Sequence, residues 1–189
     1  MSKPFRVAVV IGSTREGRLA PTISRWLIEH TSRREEFVMD IMDLAEVSLP
    51  AVMSKGAGAE VAALNARLGA ADAYVVLTPE YNHSFPAPLK AAIDWSSRAW
   101  KAKPVAFVAY GGRAGGLRAV EQLRQVFAEM HAVTIRDTVS FHDAWSVFDS
   151  AGHPAGAEAA ESALRTMLDQ LAWWAHALRE ARTANPYSF

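Results

Sequence analysis

Short apolar runs rich in β-branched residues alternate with helix-periodic segments along the chain, and that alternation leaves few folds open. Phe5–Ile11, Phe37–Met42, Ala73–Leu77, Pro104–Tyr110 and Ala132–Val139 read as strands. Leu19–Thr31, Ala59–Ala70, Pro86–Arg98, Leu117–Met130 and Ala157–Arg182 read as helices. The first helix sets Leu19, Ile23, Trp26 and Leu27 on one face. The fourth sets Val120, Leu123, Val126 or Phe127, and Met130; the last sets Leu164, Met167, Leu168, Leu171 and Trp174. Regular alternation predicts a parallel sheet covered on both faces, because each parallel pair needs a right-handed crossover. Phe37–Met42 is the least purely apolar strand and belongs nearer an edge. Asp43–Gly58, with Pro50, Gly56 and Gly58, escapes the pattern and has the length of a functional lid or else of a disordered segment. Ser150–Gly156 is linker-like, and the tail from Ser140 onwards carries no motif.

In open α/β sheets, ligands bind outside the carboxyl ends of the strands. Two loops there carry binding chemistry. Gly12-Ser13-Thr14-Arg15-Glu16-Gly17-Arg18 lies between the first strand and the helix that opens at Leu19 and Ala20. Such a loop aims free backbone N–H groups and a positive helix end at one point, which makes an anion site. Ser13 and Thr14 add hydroxyl donors; Arg15 and Arg18 add guanidinium forks suited to phosphate. The spacing fits neither a Walker P-loop nor G-x-G-x-x-G. An ordinary strand-to-helix turn with solvated arginines is the plain alternative. The second loop is Thr78-Pro79-Glu80-Tyr81-Asn82, directly after the third strand. Pro79 removes a donor and biases Thr78 to an extended conformation, so the strand should end there and the chain turn. A proline-initiated turn before a helix is the plain reading of this segment.

The chain has 189 residues, half of them hydrophobic and 21% charged. That is enough for one domain, residues 1–189, with a sizeable core. A formal net charge of zero argues against a nucleic-acid binder. With no cysteine, thiol catalysis, disulfides and Cys-ligated zinc are excluded. The histidines other than His83 (His30, His131, His142, His153 and His176) lack ligand spacing, so no metal site is expected. Met1-Ser2-Lys3-Pro4 runs straight into the first strand without an apolar leader, and no run reaches spanning length. The expectation is a cytoplasmic protein without membrane attachment.

Taken together, the motifs resemble the NADPH-dependent FMN reductase family of flavodoxin-like quinone, azo and chromate reductases. The resemblance rests on Gly12-Ser13-x-Arg15-x-Gly17, on Thr78-Pro79-Glu80-Tyr81-Asn82-x-Ser84-x-Pro86, and on Leu89-Lys90-x-x-Ile93-Asp94-Trp95. Lys103-Pro104-Val105, Gly111-Gly112 and Gly115-Gly116 follow at the expected distance. It covers about Arg6 to Val139. It implies a doubly wound five-stranded parallel sheet of order 2-1-3-4-5, with FMN at the switch between strands one and three.

The resemblance also implies a site. FMN would be held by Ser13, Thr14, Arg15, Arg18, Leu19 and Ala20 at the phosphate end. Pro79, Glu80, Tyr81 and Asn82 would run beside the ring, and Tyr110, Gly111 and Gly112 would reach it from a third loop. His83 and Ser84 would line the substrate mouth. No side chain is catalytic, since hydride transfer to flavin N5 needs neither acid nor base from the protein. Glu80 would instead tie loops together across a subunit interface. His83 could protonate a reduced quinone, but packing at the mouth is the simpler role. Trp95 and Trp100 could serve the seam of a homodimer or a dimer of dimers. NADPH or NADH would donate hydride, and a quinone, azo compound, free flavin or oxidised metal ion would accept electrons. Two alternatives stay open: a flavodoxin-type electron carrier, and a hydrolase or nucleotide binder that uses the first loop without flavin.

Overall fold

The structure is a computed structural model that describes residues 3–54 and 58–189. Met1, Ser2 and the Gly56 of the long irregular stretch lie outside the described residues. Five parallel strands form one sheet: β1 (Phe5–Ile11), β2 (Phe37–Asp43), β3 (Ala73–Pro79), β4 (Pro104–Tyr110) and β5 (Val133–Phe141). Their order is β2-β1-β3-β4-β5, every pairing parallel. This is the flavodoxin-like arrangement. The helices are α1 (Ala20–Thr31), α2 (Ala59–Ala70), α3 (Ala87–Trp95), α4 (Leu117–Glu129), a short α5 (Ala144–Val147) and α6 (Ala157–Ala184).

The period-two alternation of each strand divides the core into two layers. Val7, Val9 and Ile11 of β1 face α1 and α6, where Ile23, Leu27 and Leu171 meet them. Ala8 and Val10 face the layer of α2, α3 and α4, with Leu64, Leu89 and Phe127. Every residue of β3 and β4 is buried, as central strands covered on both faces require. Within α4 it is Phe127, rather than Val126, that is fully buried.

Several element ends differ from the sequence expectation. β3 continues through Thr78 and Pro79, which pair with Ala109 and Tyr110. The register explains why proline is tolerated. Gly12 N donates to Leu77 O at 2.8 Å and Glu80 N donates to Tyr110 O at 2.9 Å. Backbone groups alternate sides along a strand, so Pro79 faces β1, which has already turned away; its missing N–H costs no ladder bond. β5 runs to Phe141 and carries an irregularity opposite Val105–Phe107. Asp43 ends β2, and Leu44–Glu46 forms a single 3-10 turn, so the long irregular stretch is partly ordered. Helix α3 stops at Trp95, earlier than its apolar pattern suggested. Trp100 is not an interface residue of that helix. It is fully buried, its ring 4.4 Å from Tyr74 and 5.2 Å from Phe127, and its Nε1 donates to Ile93 O.

Lys103 marks the edge of the sheet opposite the strand exits. Its Nζ donates to Gly69 O at 2.8 Å and to Tyr74 Oη at 3.3 Å. Burial pushes its pKa down to about 8, with Arg182 pushing the same way and Asp72 opposing. A free lysine titrates near about 10.4. Between those values the unfolded chain binds a proton that the folded chain has released, so stability rises with pH across that window and the penalty is fully present below about pH 8. The melting temperature of the wild type relative to Lys103→Met should therefore climb between pH 8 and pH 10. A difference that stays constant with pH would show that the buried ammonium does not govern it.

Candidate functional site

The exits of β1, β3 and β4 meet at one edge, and the first loop begins there with a close approach. A Cβ on Gly12 would stand 3.1 Å from Leu89 Cδ2, so glycine lets β1 leave beside α3. Ser13 is fully buried, with its Oγ 2.9 Å from Tyr81 Oη. Thr14 to Gly17 are exposed. Among the described residues, the backbone N–H groups of Ser13 to Gly17 find no hydrogen-bond partner. Helix α1 follows with no side-chain cap and no acidic residue in its first turn. Leu19 is its N-cap and Ala20, fully buried, its first residue. The loop is therefore an open cradle of donors at the positive end of a helix.

The two arginines of the loop are used differently. Arg18 makes two parallel bonds at 2.5 Å to the carboxylate of Asp43 and donates to Ser13 O. The Asp43 hydrogen bonds hold its guanidinium pKa above its ordinary value, against the desolvation of burial. Its charge is neutralised inside the protein, so Arg18 braces the loop instead of standing free for an anion. Asp43 reaches it because Asp43 pairs in register with Ile11, at the start of the loop. Arg15 is exposed and forms no ion pair with any described residue.

A cavity of about 230 Å³ opens beside this loop, with Ser13, Arg15, Pro79, Tyr81, Tyr110 and Trp145 in its wall. Tyr110 is buried, and its pKa is pushed up to about 12 by burial, the Ser13 hydrogen bond opposing. It remains a neutral hydroxyl at neutral pH. The Tyr81–Ser84 segment is a tight turn closed by Tyr81 N to Ser84 O at 2.8 Å and Ser84 N to Tyr81 O at 2.9 Å. Asn82 and His83 at its tip are exposed, with φ of 50° and 66°. Two central residues in the left-handed region is the pattern of a type I′ turn. Gln122 of α4 contacts both His83 and Ser84.

Glu80 is directed away from the cavity's hydroxyls. Its carboxylate accepts from Arg118 N at 3.2 Å and from the Arg118 guanidinium at 3.1 Å, at the start of α4. The tie that the sequence placed across a subunit seam thus lies within one chain. Gly111 and Gly112 form the third loop, held by Ala144 N to Gly111 O and Asp143 N to Gly112 O, both at 3.0 Å. Those bonds bring α5 over the cavity and give Trp145 its place, 66% exposed. Neither Trp145, Asp43 nor Gln122 carried a motif. The position of Trp145 just past β5, at the edge where ligands bind, was its only signal.

The described part of the long irregular stretch lies along α3. Trp95 Nε1 donates to Pro50 O at 3.2 Å, and a groove of about 620 Å³ runs between Leu44–Met53 and α3, reaching Thr14. The described residues hold no cluster of metal-ligating side chains and no helix long and apolar enough to cross a membrane.

The chain matches the family described as NADPH-dependent FMN reductase over residues 5–146. An NAD(P)H-dependent FMN reductase of Schizosaccharomyces pombe is 34% identical over 122 residues, 59% of this chain and 60% of that one. A quinone reductase of Escherichia coli K12 is 33% identical over 142 residues, 71% of this chain and 76% of the other. Among solved structures, a flavoenzyme NAD(P)H:(acceptor) oxidoreductase of Paracoccus denitrificans shares the fold with a TM-score of 0.72, at 23% identity, over 89% of this chain and 97% of that one.

The bracing pair can be tested without a ligand. Losing a hydrogen bond to a charged partner costs about 1.5–3 kcal/mol. Arg18→Ala and Asp43→Asn should each destabilise the flavin-free protein by roughly that amount in urea unfolding. The double variant should lose little more than the worse single one, because both remove the same contact. Additive losses would mean that the two residues do not act as a unit.

Proposed function

The chain belongs to the NADPH-dependent FMN reductase family, and from that premise we propose that it is an FMN-dependent NAD(P)H oxidoreductase. Its acceptors are quinones, azo compounds, free flavin or oxidised metal ions. The observation that carries the reading is the open donor cradle at Ser13–Gly17 with Arg15 unpaired beside it. A phosphate monoester brings about −1.5 to −2 charges near neutral pH. One free guanidinium, two hydroxyls, several N–H groups and an uncapped helix end suit that charge. The residues present thus fit FMN.

When bound, FMN supplies two-electron chemistry, taking hydride from NADPH or NADH and returning the electrons to the acceptor. The chain's own groups bind and orient. Ser13, Thr14 and Arg15 hold the phosphate; Arg18 keeps the loop in shape through Asp43; Leu19 and Ala20 begin the helix behind it. Pro79, Tyr81 and Tyr110 wall the cavity, and Asn82, Gly111 and Gly112 bring backbone to the ring. His83 and Ser84 stand at the substrate mouth. The hydrolase alternative lacks its chemistry: Ser13 Oγ meets the tyrosine hydroxyls of Tyr81 and Tyr110, and no histidine among the described residues bonds to it. A flavodoxin-type carrier would share fold and cofactor, and rapid NADPH oxidation by the purified protein separates it from this reading. The proposal extends to a homodimer or dimer of dimers in the cytoplasm, checked by sedimentation.

The visible spectrum of the purified protein tests the cofactor, and Arg15→Ala tests its site. Arg15 is exposed, so its loss leaves no core cavity. Losing a charge-assisted contact of about 1.5–3 kcal/mol weakens FMN binding by roughly one to two decades. Riboflavin, lacking the phosphate, should bind the variant and the wild type alike. Equal losses for both flavins would remove Arg15 from the phosphate site, and a lowered melting temperature without a change in flavin preference would make it structural.

A further inference from the structure

Gln122, on α4, places its carboxamide across the Tyr81–Ser84 turn. Its Nε2 donates to His83 O at 2.7 Å, and its Oε1 accepts from Ser84 Oγ at 2.6 Å. A carbonyl can only accept, so the amide has one orientation that satisfies both bonds. The turn needs such a hold. Asn82 and His83 both have positive φ, a region that L residues enter at a cost, and histidine gains less local compensation there than asparagine. The conformation has a chemical consequence. The N–H groups of Asn82 and His83 make no bond to a described residue, so the turn presents two adjacent donors. They stand at the strand-exit edge, next to Tyr81 in the cavity wall. Fixed donors at the place where negative charge gathers favour the more negative state, because they need no reorganisation when the charge arrives.

We propose that Gln122 is a positioning residue for electron transfer. By gripping the His83 carbonyl and the Ser84 hydroxyl, it fixes the direction of the Asn82 and His83 donors. It thereby raises the reduction potential of the bound flavin and the rate at which NAD(P)H reduces it. Phosphate-based affinity for FMN is left to the first loop, on the far side of Tyr81. The inference rests on reading the site as a flavin site.

The test compares wild type with Gln122→Met, which keeps the length and removes both bonds. Gln122→Glu retains the acceptor but sets an oxygen against His83 O. Ser84→Ala removes one arm only. Amide exchange is measured first on the flavin-free protein. The Ser84 N–H, bonded to Tyr81 O, should exchange about tenfold faster in Gln122→Met, with the α4 amides unchanged. On the FMN-loaded protein, a tenfold change in preference for the reduced over the oxidised flavin reads as a fall of about 30 mV in the two-electron potential. The kcat should fall with KM for NAD(P)H and Kd for FMN nearly constant. Gln122→Glu should not rescue, Ser84→Ala should be intermediate, and the double variant Gln122→Met/Ser84→Ala should be no worse than Gln122→Met. Unchanged Ser84 exchange overturns the latch whatever the cofactor does. Faster exchange with an unchanged potential and kcat overturns the positioning role and leaves a local tie. A wild-type protein that takes up no FMN overturns the functional reading and the redox role with it, while the flavin-free exchange still decides the latch.

Discussion

The arrangement of this molecule depends on one constraint: β3 and β4 are buried on both faces, so their backbone groups must be satisfied within a parallel ladder. A parallel ladder sends every strand out at the same edge, and each must then turn where the ladder no longer supplies partners. The solutions are local and specific. Pro79 is admissible because β1 has already left its side of the ladder. Gly116 is required where α4 begins, since a Cβ there would stand 2.6 Å from Ala109 Cβ and 2.7 Å from Tyr110 N, at a φ of 87°. That close approach puts the first turn of α4 beside Glu80. The packing of the sheet thus brings the second loop, the third loop and α4 within hydrogen-bond reach of each other.

Electrostatics then divides the work within the first loop. Two arginines three residues apart look equivalent in the sequence, yet strand register sets them apart. Asp43 pairs with Ile11 across the β1–β2 ladder and meets Arg18 in a bidentate contact, while Arg15 forms no ion pair with any described residue. The positive charge offered to a ligand is that of one arginine and a helix end, with the exposed Glu16 beside them.

The alternation of strands and helices and the turn at the end of β3 were legible because each has a local signal: short apolar runs, helical periodicity, proline followed by asparagine; the strand order was implied by the family resemblance. What was not legible is long-range. Arg18 and Asp43 are 25 residues apart, and only the register joins them. Trp100 sits in a stretch that looks like an amphipathic interface, but the chain turns after Trp95 and folds it under Tyr74. The extension of β5 to Phe141 and the four-residue α5 carry too little periodicity to be read, and with them went Trp145. The strained turn at Asn82 and His83 gave no sign of its conformation either, because nothing in its own sequence is glycine; its support comes from another helix.

The titratable groups around the cavity explain what kind of chemistry the site can host. Glu80, its side chain only 10% exposed, is bound to the start of α4 through Arg118. Asp43 is committed to Arg18. The Tyr110 hydroxyl is driven up, away from neutrality, by burial. An enzyme that moves protons at its own side chains needs an acid or base poised near the working pH and free to reach substrate. Here Glu80 and Asp43 are spent on holding loops, and what faces the cavity, apart from the exposed Glu16, is a set of hydroxyl, backbone amide and guanidinium donors. Such a lining can bind, orient and stabilise charge; its carboxylate, Glu16, is exposed in the first loop and not buried beside the hydroxyls. It is the environment that a redox cofactor needs when the cofactor itself carries the reaction.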